Sequence, residues 1–377
     1  MRQRQIVSHT GLRGIAALLV VFYHLQFGGG FRFAFERAMP FFERGYLWVD
    51  LFFILSGFII SYTSAADRRA AFTGGEARRF ISARIARVYP LHLFTLGYLL
   101  LFALALQIAG TLLGRPLAPD PWRPESIKTL LLSIPLLHAW DFGQTPGWNI
   151  PSWSISAEMF AYLLFPLIVT AHVHARRATR AALLLGAIAF YAWIARTGGS
   201  LDIVMGLAPL RCLAGFSLGM LVFYGREPLG RLAALPLAFL QLGAAAVVLA
   251  GLALPLPDVA LIPAFVLIVA TTWRDKGPLA PLLMLRPVRF LGEISYSIYM
   301  NHACLISILA VFWSRIAHHI DAPDALLRLV WITLVLATTL IFSTLTYRYV
   351  EQPARSWLSK RLVGRAPRVP AAVPTAP

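Results

Sequence analysis

The chain has 377 residues, of which 58% are hydrophobic and 14% charged, and its mean hydropathy is +0.68. A soluble domain of this length contains fewer apolar residues, so the composition excludes that class and indicates a polytopic membrane protein. The two cysteines, Cys212 and Cys304, lie within apolar runs, which excludes a disulfide framework and gives no metal-type spacing. The net charge of +17 is distributed between apolar runs. That pattern is typical of membrane topology, and we expect no nucleic-acid partner.

Windows of about 20 residues, the length that crosses a bilayer, identify apolar runs along most of the chain. The runs are 10–27, 45–65, 88–113, 157–173, 181–197, 206–224, 235–253, 258–273, 290–313 and 327–347. They predict an all-α polytopic membrane protein with about ten transmembrane helices. The run at 127–140 is too short and too polar at its ends to span, so we expect an interfacial or re-entrant segment there.

The basic residues predict the orientation. With the N-terminus in the cytoplasm, the inner segments contain 23 Lys or Arg and the outer segments contain eight. This asymmetry predicts that both termini are cytoplasmic in a multi-pass protein of the cell (inner) membrane. We expect residues 1–350 to form the membrane domain. Residues 351–377 are predicted to be a cytoplasmic tail, disordered toward its Pro- and Ala-rich end.

The first apolar run contains two ionisable residues, Arg13 and His24. Eleven residues return a helix to within about 20° of its starting face, so both lie on one stripe, about 16 Å apart in height. Ionisable groups within a membrane usually face a cavity or a partner, because exposure to lipid is costly. A polar path along this helix is one interpretation. The other is that Arg13 extends to lipid headgroups and His24 is an interfacial aromatic.

Three further ionisable residues are predicted at the depth of His24, toward the outside. Asp50 lies in the first two turns of the second span, Glu158 opens the fourth, and Arg211 enters the sixth. A carboxylate at this depth would orient an imidazole and raise its basicity. The alternative for Asp50 is a simple interfacial acid.

Arg84 and Arg87 lie on the cytoplasmic side, three residues apart and directly before Tyr89 and the third span. Guanidinium groups bind phosphates in a forked geometry, so the pair suits a phosphate ligand. Contact with lipid headgroups under the positive-inside rule is the alternative.

The ninth span contains two further candidates. Glu293 opens this span from the cytoplasm and is predicted to be a partner for Arg13. His302 would lie at mid-to-outer depth. A lone buried histidine is often a core residue whose hydrogen bonds are satisfied, so His302 ranks below His24.

Six motifs occur in a fixed order. They are an arginine and a histidine separated by ten residues in the first span, then DLFFILSGFII, RIARVYP, PSWSISAE, LGEISYSIYMNH and YRYVEQPARSW. Together they resemble membrane acyltransferase family 3 over about residues 8–358. The resemblance implies ten spans and transfer of an acyl group, commonly acetyl, from cytoplasmic acyl-CoA to a hydroxyl. It implies an extracytoplasmic glycan, a lipid-linked sugar or a small molecule as acceptor. Acyl-CoA is then a donor substrate, and no bound cofactor is expected.

The resemblance also implies roles for residues. His24 corresponds to the essential histidine of the family and Arg13 to its paired arginine, with Asp50 and Glu158 as further catalytic candidates. The acyl-CoA-binding candidates are Arg84, Arg87 and Tyr89. Candidates on the acceptor side or with a structural role are Trp153, Ser154, Arg211, Glu293, Tyr296 and His302.

Two mechanisms and two other protein classes stay open at this point. His24 would act as a general base, or it would form a covalent acyl intermediate. A transporter or flippase of a sugar or lipid would also need a polar path, but the inverted repeats typical of transporters are not seen. A non-catalytic scaffold gives no reason for Arg13 and His24 to share a stripe. The expected partners are membrane lipid and a carbohydrate or lipid-linked sugar.

Overall fold

The computed structural model describes residues 5–26, 40–64, 66, 70–117, 124–140, 147–254 and 256–363. All regular secondary structure in these ranges is helical. The helices of eight or more residues are α1 (Val7–Leu25), α2 (Trp48–Thr63), α3 (Gly74–Leu112), α4 (Pro124–Ser133), α5 (Ser152–His174), α6 (Arg176–Arg196), α7 (Ala208–Tyr224), α8 (Ala234–Ala253), α9 (Ile262–Thr272), α10 (Arg286–Glu293), α11 (Ser295–Ile316), α12 (Asp324–Thr346) and α13 (Gln352–Leu362).

Each predicted span overlaps a helix, because a continuous apolar run satisfies its backbone hydrogen bonds internally only as a helix. The predicted ninth span, 290–313, is divided between α10 and α11. In the described ranges, seven helical stretches are long and apolar enough to cross a membrane. They are Gly45–Thr63, Gly74–Leu112, Ser152–His174, Arg176–Arg196, Ala234–Ala253, Ser295–His319 and Asp324–Leu362. The stretches Ala208–Tyr224 and Asp258–Thr272 are apolar but shorter. The protein is therefore an all-α, multi-pass membrane protein, and a total of ten spans stays a prediction.

The segment predicted at 127–140 contains α4, which has ten residues. A helix of that length is about 15 Å long, roughly half the hydrocarbon thickness of a bilayer. Turns at residues 134–136 follow it. An interfacial or re-entrant placement of this segment stays a prediction.

Residues 352–362, predicted to begin the tail, form α13, which packs against α3. A single π turn, Tyr347–Glu351, connects α12 to α13. The end of the tail predicted at 351–377, residues 364–377, lies outside the described ranges, so its predicted disorder stays a prediction.

Two contacts define the direction of α1 relative to α11. Arg13 Nη2 donates to Ser295 Oγ at 3.0 Å, and His24 Nδ1 lies 3.2 Å from His302 Nε2. Because both residue numbers increase from one contact to the next, the two helices run in the same direction. The predicted orientation requires this of the first and ninth spans. We call the two ends of the bundle the Arg13 end, which is the one predicted to face the cytoplasm, and the His24 end.

Helix α3 begins well before the predicted span at residue 88. Thr73 Oγ1 accepts a hydrogen bond from the Glu76 backbone N–H, and the Glu76 carboxylate accepts one from the Thr73 backbone N–H. This capping box fixes the helix start. Arg84 and Arg87 therefore lie on the same continuous helix as the apolar residues that follow.

Helices α2 and α7 pack closely because glycines allow their backbones to approach. A Cβ at Gly57 would lie 2.0 Å from the Phe216 carbonyl oxygen, and one at Gly219 would lie 2.0 Å from that of Ile54. Small residues at helix crossings are typical of membrane proteins, where close backbone packing replaces the hydrophobic driving force. The rotation of α2 against α7, and thus the direction of their polar side chains, depends on these glycines.

We expect Gly219→Ala to destabilise the protein by about 1–3 kcal/mol, because the added methyl group must push the helices apart. The matched control is Gly243→Ala on α8, where the built Cβ position meets no heavy atom within 4 Å. Thermal unfolding of the purified protein in detergent measures the difference. Equal unfolding temperatures for the two variants would contradict the close packing.

Candidate active site

A cavity of about 430 Å³ lies near the Arg13 end, between α1, α2, α3, α5 and α11. Its ionisable lining residues, apart from tyrosines, are Arg13, Arg84, Arg87, Arg355 and Glu158. A larger groove of about 850 Å³ lies between α5, α6 and α7. The described residues lining that groove are mostly apolar and include no ionisable side chain, so it suits lipid chains better than a charged ligand. The arginine-lined cavity is the candidate site.

The charges of this cavity do not balance. Arg87 forms an ion pair with Glu351, whose side chain is 1% exposed. Glu158 is close enough to Arg13 and Arg84 to attract both electrostatically. Among the described residues that line or contact the cavity, four guanidinium groups thus face two carboxylates. An excess of positive charge in a partly enclosed cavity favours an anionic ligand.

Two of the arginines have hydrogen-bond donors that protein carboxylates do not satisfy. Arg13 donates to the neutral hydroxyl of Ser295. The Arg84 Nε atom is buried and has no hydrogen-bond partner among the described residues. A buried donor without a partner is costly unless a ligand or water satisfies it, so the Arg84 Nε atom indicates a ligand site.

The end of the cavity that is farther from the arginines lies close to the two histidines. Its lining includes Phe52, Ser154 and Tyr299, and the Ser154 and Tyr299 hydroxyl oxygens are 2.7 Å apart. Tyr299 lies one helical turn before His302 on α11, and the ring centroids of Tyr299 and His302 are 5.8 Å apart. The cavity therefore extends from the arginines to the neighbourhood of the histidine pair.

His24 and His302 form the pair. Their ring centroids are 4.7 Å apart, and His24 Nδ1 lies 3.2 Å from His302 Nε2. His24 Nδ1 also lies 3.0 Å from the Val20 carbonyl oxygen, and His302 Nδ1 lies 3.1 Å from that of Ile298. His302, which the sequence ranked below His24, is fully buried and is a direct neighbour of His24.

Asp50 is paired with Arg211. Arg211 Nε donates to Asp50 Oδ1 at 3.1 Å and Arg211 Nη2 donates to Asp50 Oδ2 at 2.7 Å, and both side chains are fully buried. Arg211 also donates to the backbone oxygens of Tyr46 and Ile203, and its guanidinium lies over the Trp153 ring at 5.2 Å. Arg211 thus binds both carboxylate oxygens of Asp50. Among the described residues, Asp50 forms no hydrogen bond with His24, which was the contact expected from the sequence. Glu158, which the sequence predicted at the depth of His24 together with Asp50 and Arg211, lines the arginine cavity.

Glu293 does not contact Arg13. It accepts a hydrogen bond from Arg289 Nε at 3.2 Å, on an exposed surface of α10. Helix α10 ends at Glu293, and its carboxylate pairs with Arg289 one turn earlier on the same helix. Arg13 therefore meets the hydroxyl of Ser295, the first residue of α11.

The two tyrosines predicted near the site lie in different places. Tyr296 lines the cavity, and its hydroxyl donates to the Val88 backbone oxygen at 2.7 Å. The Arg87 guanidinium lies over its ring at 5.4 Å. Tyr89 is not among the described lining residues, and its ring lies 6.2 Å from that of His92.

Three residues of the site were not singled out from the sequence. Glu351 and Arg355 belong to the motif YRYVEQPARSW, four residues apart, so they lie on the same side of a helix. This spacing, directly after the last apolar run, was the available signal. Tyr299 had no signal beyond its place in LGEISYSIYMNH.

These features define a multi-pass helical membrane protein whose cationic cavity ends near a pair of histidines, of which His302 is buried and His24 is half-buried. The family model described as an acyltransferase domain matches residues 7–348. The chain therefore belongs to acyltransferase family 3, which confirms the prediction from the motifs.

Two relatives show the extent of the similarity. "Acyltransferase MdmB" of Streptomyces mycarofaciens is 34% identical over 178 residues, 43% of this chain and 39% of that protein. "Protein 2 in picA locus" of Rhizobium radiobacter is 34% identical over 105 residues, 26% of this chain and 47% of that protein. The aligned segments thus span less than half of either relative. No solved structure matches the chain significantly.

We expect Asp50→Leu and Arg211→Met each to destabilise the protein by about 3–5 kcal/mol, because each leaves an unpaired buried charge. The double variant should recover much of that loss, since it removes both charges. Unfolding in detergent, measured for all four proteins, gives the coupling free energy. If the losses of the single variants simply add in the double variant, the pair is not the structural unit described.

Proposed function

We propose that the protein transfers an acyl group, most simply acetyl, from cytoplasmic acyl-CoA to a hydroxyl of an extracytoplasmic glycan or lipid-linked sugar. The family assignment supports acyl transfer. The observation that supports the route is the cavity, which contains four arginines near the Arg13 end and reaches Tyr299, one turn from the histidine pair.

The donor would bind through its phosphates. Coenzyme A has a diphosphate and a 3′-phosphate, and guanidinium groups bind such groups by forked, charge-assisted hydrogen bonds. Arg13, Arg84 and Arg355 are the cavity arginines whose charge is not taken up by the ion pair of Arg87 with Glu351. With the phosphates at these arginines, the thioester arm would extend toward Ser154 and Tyr299.

The chemical step requires a base and a way to stabilise the oxyanion. His24 would remove the proton from the acceptor hydroxyl, and the resulting oxygen would attack the thioester carbonyl carbon. The carbon–sulfur bond then breaks, and the CoA thiolate takes the proton from the His24 imidazolium. The Tyr299 hydroxyl, which lines the cavity next to the pair, is the candidate donor to the oxyanion.

The acceptor side has groups suited to sugar hydroxyls. Tyr23, the neighbour of His24, donates its hydroxyl to Asp202 Oδ2 at 3.2 Å, and Asp202 is exposed. The ring centroids of Tyr23 and His24 are 4.9 Å apart. A carboxylate accepts hydrogen bonds from hydroxyls, so this arrangement beside His24 supports a carbohydrate acceptor.

We expect Arg355→Ala to raise the apparent KM for acetyl-CoA about tenfold, which corresponds to loss of one charge-assisted contact. The control is Lys360→Ala, an exposed cation on the same helix that does not line the cavity. The assay follows transfer of label from radiolabelled acetyl-CoA in inside-out membrane vesicles. An unchanged KM in the Arg355 variant would remove this residue from the donor site.

We expect His24→Ala to reduce label transfer and CoA release by at least about 10²-fold, the usual contribution of a general base. His318→Ala is the matched control, because His318 is exposed near the end of α11 and is outside the cavity. Both variants are compared at equal amounts of folded protein. Full activity of the His24 variant would contradict the proposal in its general-base and its acyl-histidine form. Movement of an acceptor across the membrane without CoA release would support a transporter instead.

A further inference from the structure

We infer that His302 is a positioning residue that holds the proton of neutral His24 on Nδ1, so that Nε2 is the basic nitrogen. The pairing follows from the geometry of the two rings, and the catalytic consequence rests on the proposed function. The sequence predicted no contact between His302 and His24.

The assignment of protons starts from the backbone. A carbonyl oxygen only accepts hydrogen bonds. His302 Nδ1 lies 3.1 Å from the Ile298 carbonyl oxygen, so it is the protonated nitrogen of that ring, and its Nε2 has the lone pair. His24 Nδ1 lies 3.0 Å from the Val20 carbonyl oxygen and 3.2 Å from His302 Nε2, so it is a donor to both. In a neutral ring, the lone pair of His24 is then on Nε2.

The opposite arrangement of protons is unfavourable at two places. If His302 were protonated on Nε2 and donated to His24, its Nδ1 lone pair would face the Ile298 carbonyl oxygen at 3.1 Å. The His24 Nδ1 lone pair would likewise face the Val20 carbonyl oxygen at 3.0 Å. A cationic His302 would place a charge at a fully buried position in the bundle. The neutral pair therefore has one arrangement in which each of these three contacts is a hydrogen bond.

This pairing gives His302 the position that a carboxylate occupies beside many catalytic histidines. Asp50, the carboxylate expected there from the sequence, is bound through both oxygens to Arg211. A neutral imidazole orients His24 and accepts from its Nδ1–H, but it stabilises the imidazolium less than a carboxylate does. His24 then takes the proton from the acceptor hydroxyl onto Nε2 and returns it readily to the departing CoA sulfur.

The test uses two substitutions of similar size in the full-length protein. His302→Gln keeps an acceptor close to the position of Nε2, whereas His302→Met removes it. We expect His302→Met to lower the maximal rate of label transfer from acetyl-CoA by about 10²-fold with an unchanged apparent KM, and His302→Gln to retain most of the rate. A merely structural role would not produce rescue by glutamine together with an unchanged KM.

Nitrogen-15 NMR of histidine-labelled protein gives a readout that does not depend on activity. The His24 signals, identified by their loss in His24→Ala, should show protonated Nδ1 in the native protein and in His302→Gln. In His302→Met the Val20 carbonyl oxygen is still an acceptor for Nδ1–H, so the fraction of His24 protonated on Nδ1 should fall below that of the native protein without reaching zero. Protonated Nε2 in native neutral His24 would overturn the inference. So would a fully active His302→Met protein when His24→Ala is inactive. If His24→Ala is itself active, the proposed function fails instead, while the NMR result still decides the tautomer.

Discussion

Lipid offers no hydrogen bonds, so each polar group inside the helical bundle has to be satisfied by the protein or by a ligand. This constraint separates the buried polar residues into two groups. Asp50 is paired through both oxygens with Arg211, which also donates to two backbone oxygens, and His24 and His302 have carbonyl partners and one another. The arginine cavity is different, because its guanidinium groups outnumber the nearby carboxylates and the buried Arg84 Nε has no partner among the described residues. The residues of the first group satisfy one another, whereas the excess positive charge of the second favours an anionic ligand.

The arrangement of helices places these groups along one path. Helices α1 and α11 run in the same direction, so the contact of Arg13 with Ser295 lies near one end and that of His24 with His302 toward the other. The cavity occupies the space between these two levels and ends beside Tyr299. In the proposed transfer of an acyl group across the membrane, a donor bound at the arginines would lie near His24 without transport of the whole donor.

The sequence predicts helices better than contacts between them. Long apolar runs locate the helices, and the six motifs identify the family, because both are local features of the chain. The partner of a buried polar residue depends on how helices rotate against each other. Asp50 was placed at a suitable depth, but its choice of Arg211 over His24 depends on the α2–α7 packing at Gly57 and Gly219. The contact of His24 with His302 joins residues 278 positions apart, and no local pattern predicts it.

The central claim is that an acyl group moves from one side of the membrane to the other while CoA stays behind. Sealed right-side-out vesicles containing the protein and its acceptor, with radiolabelled acetyl-CoA trapped inside, test it most directly. The account predicts label on acceptors at the outer surface, an equal amount of free CoA retained inside, and loss of both in His24→Ala. Label that reaches outer acceptors only when acetyl-CoA is supplied from outside would contradict it.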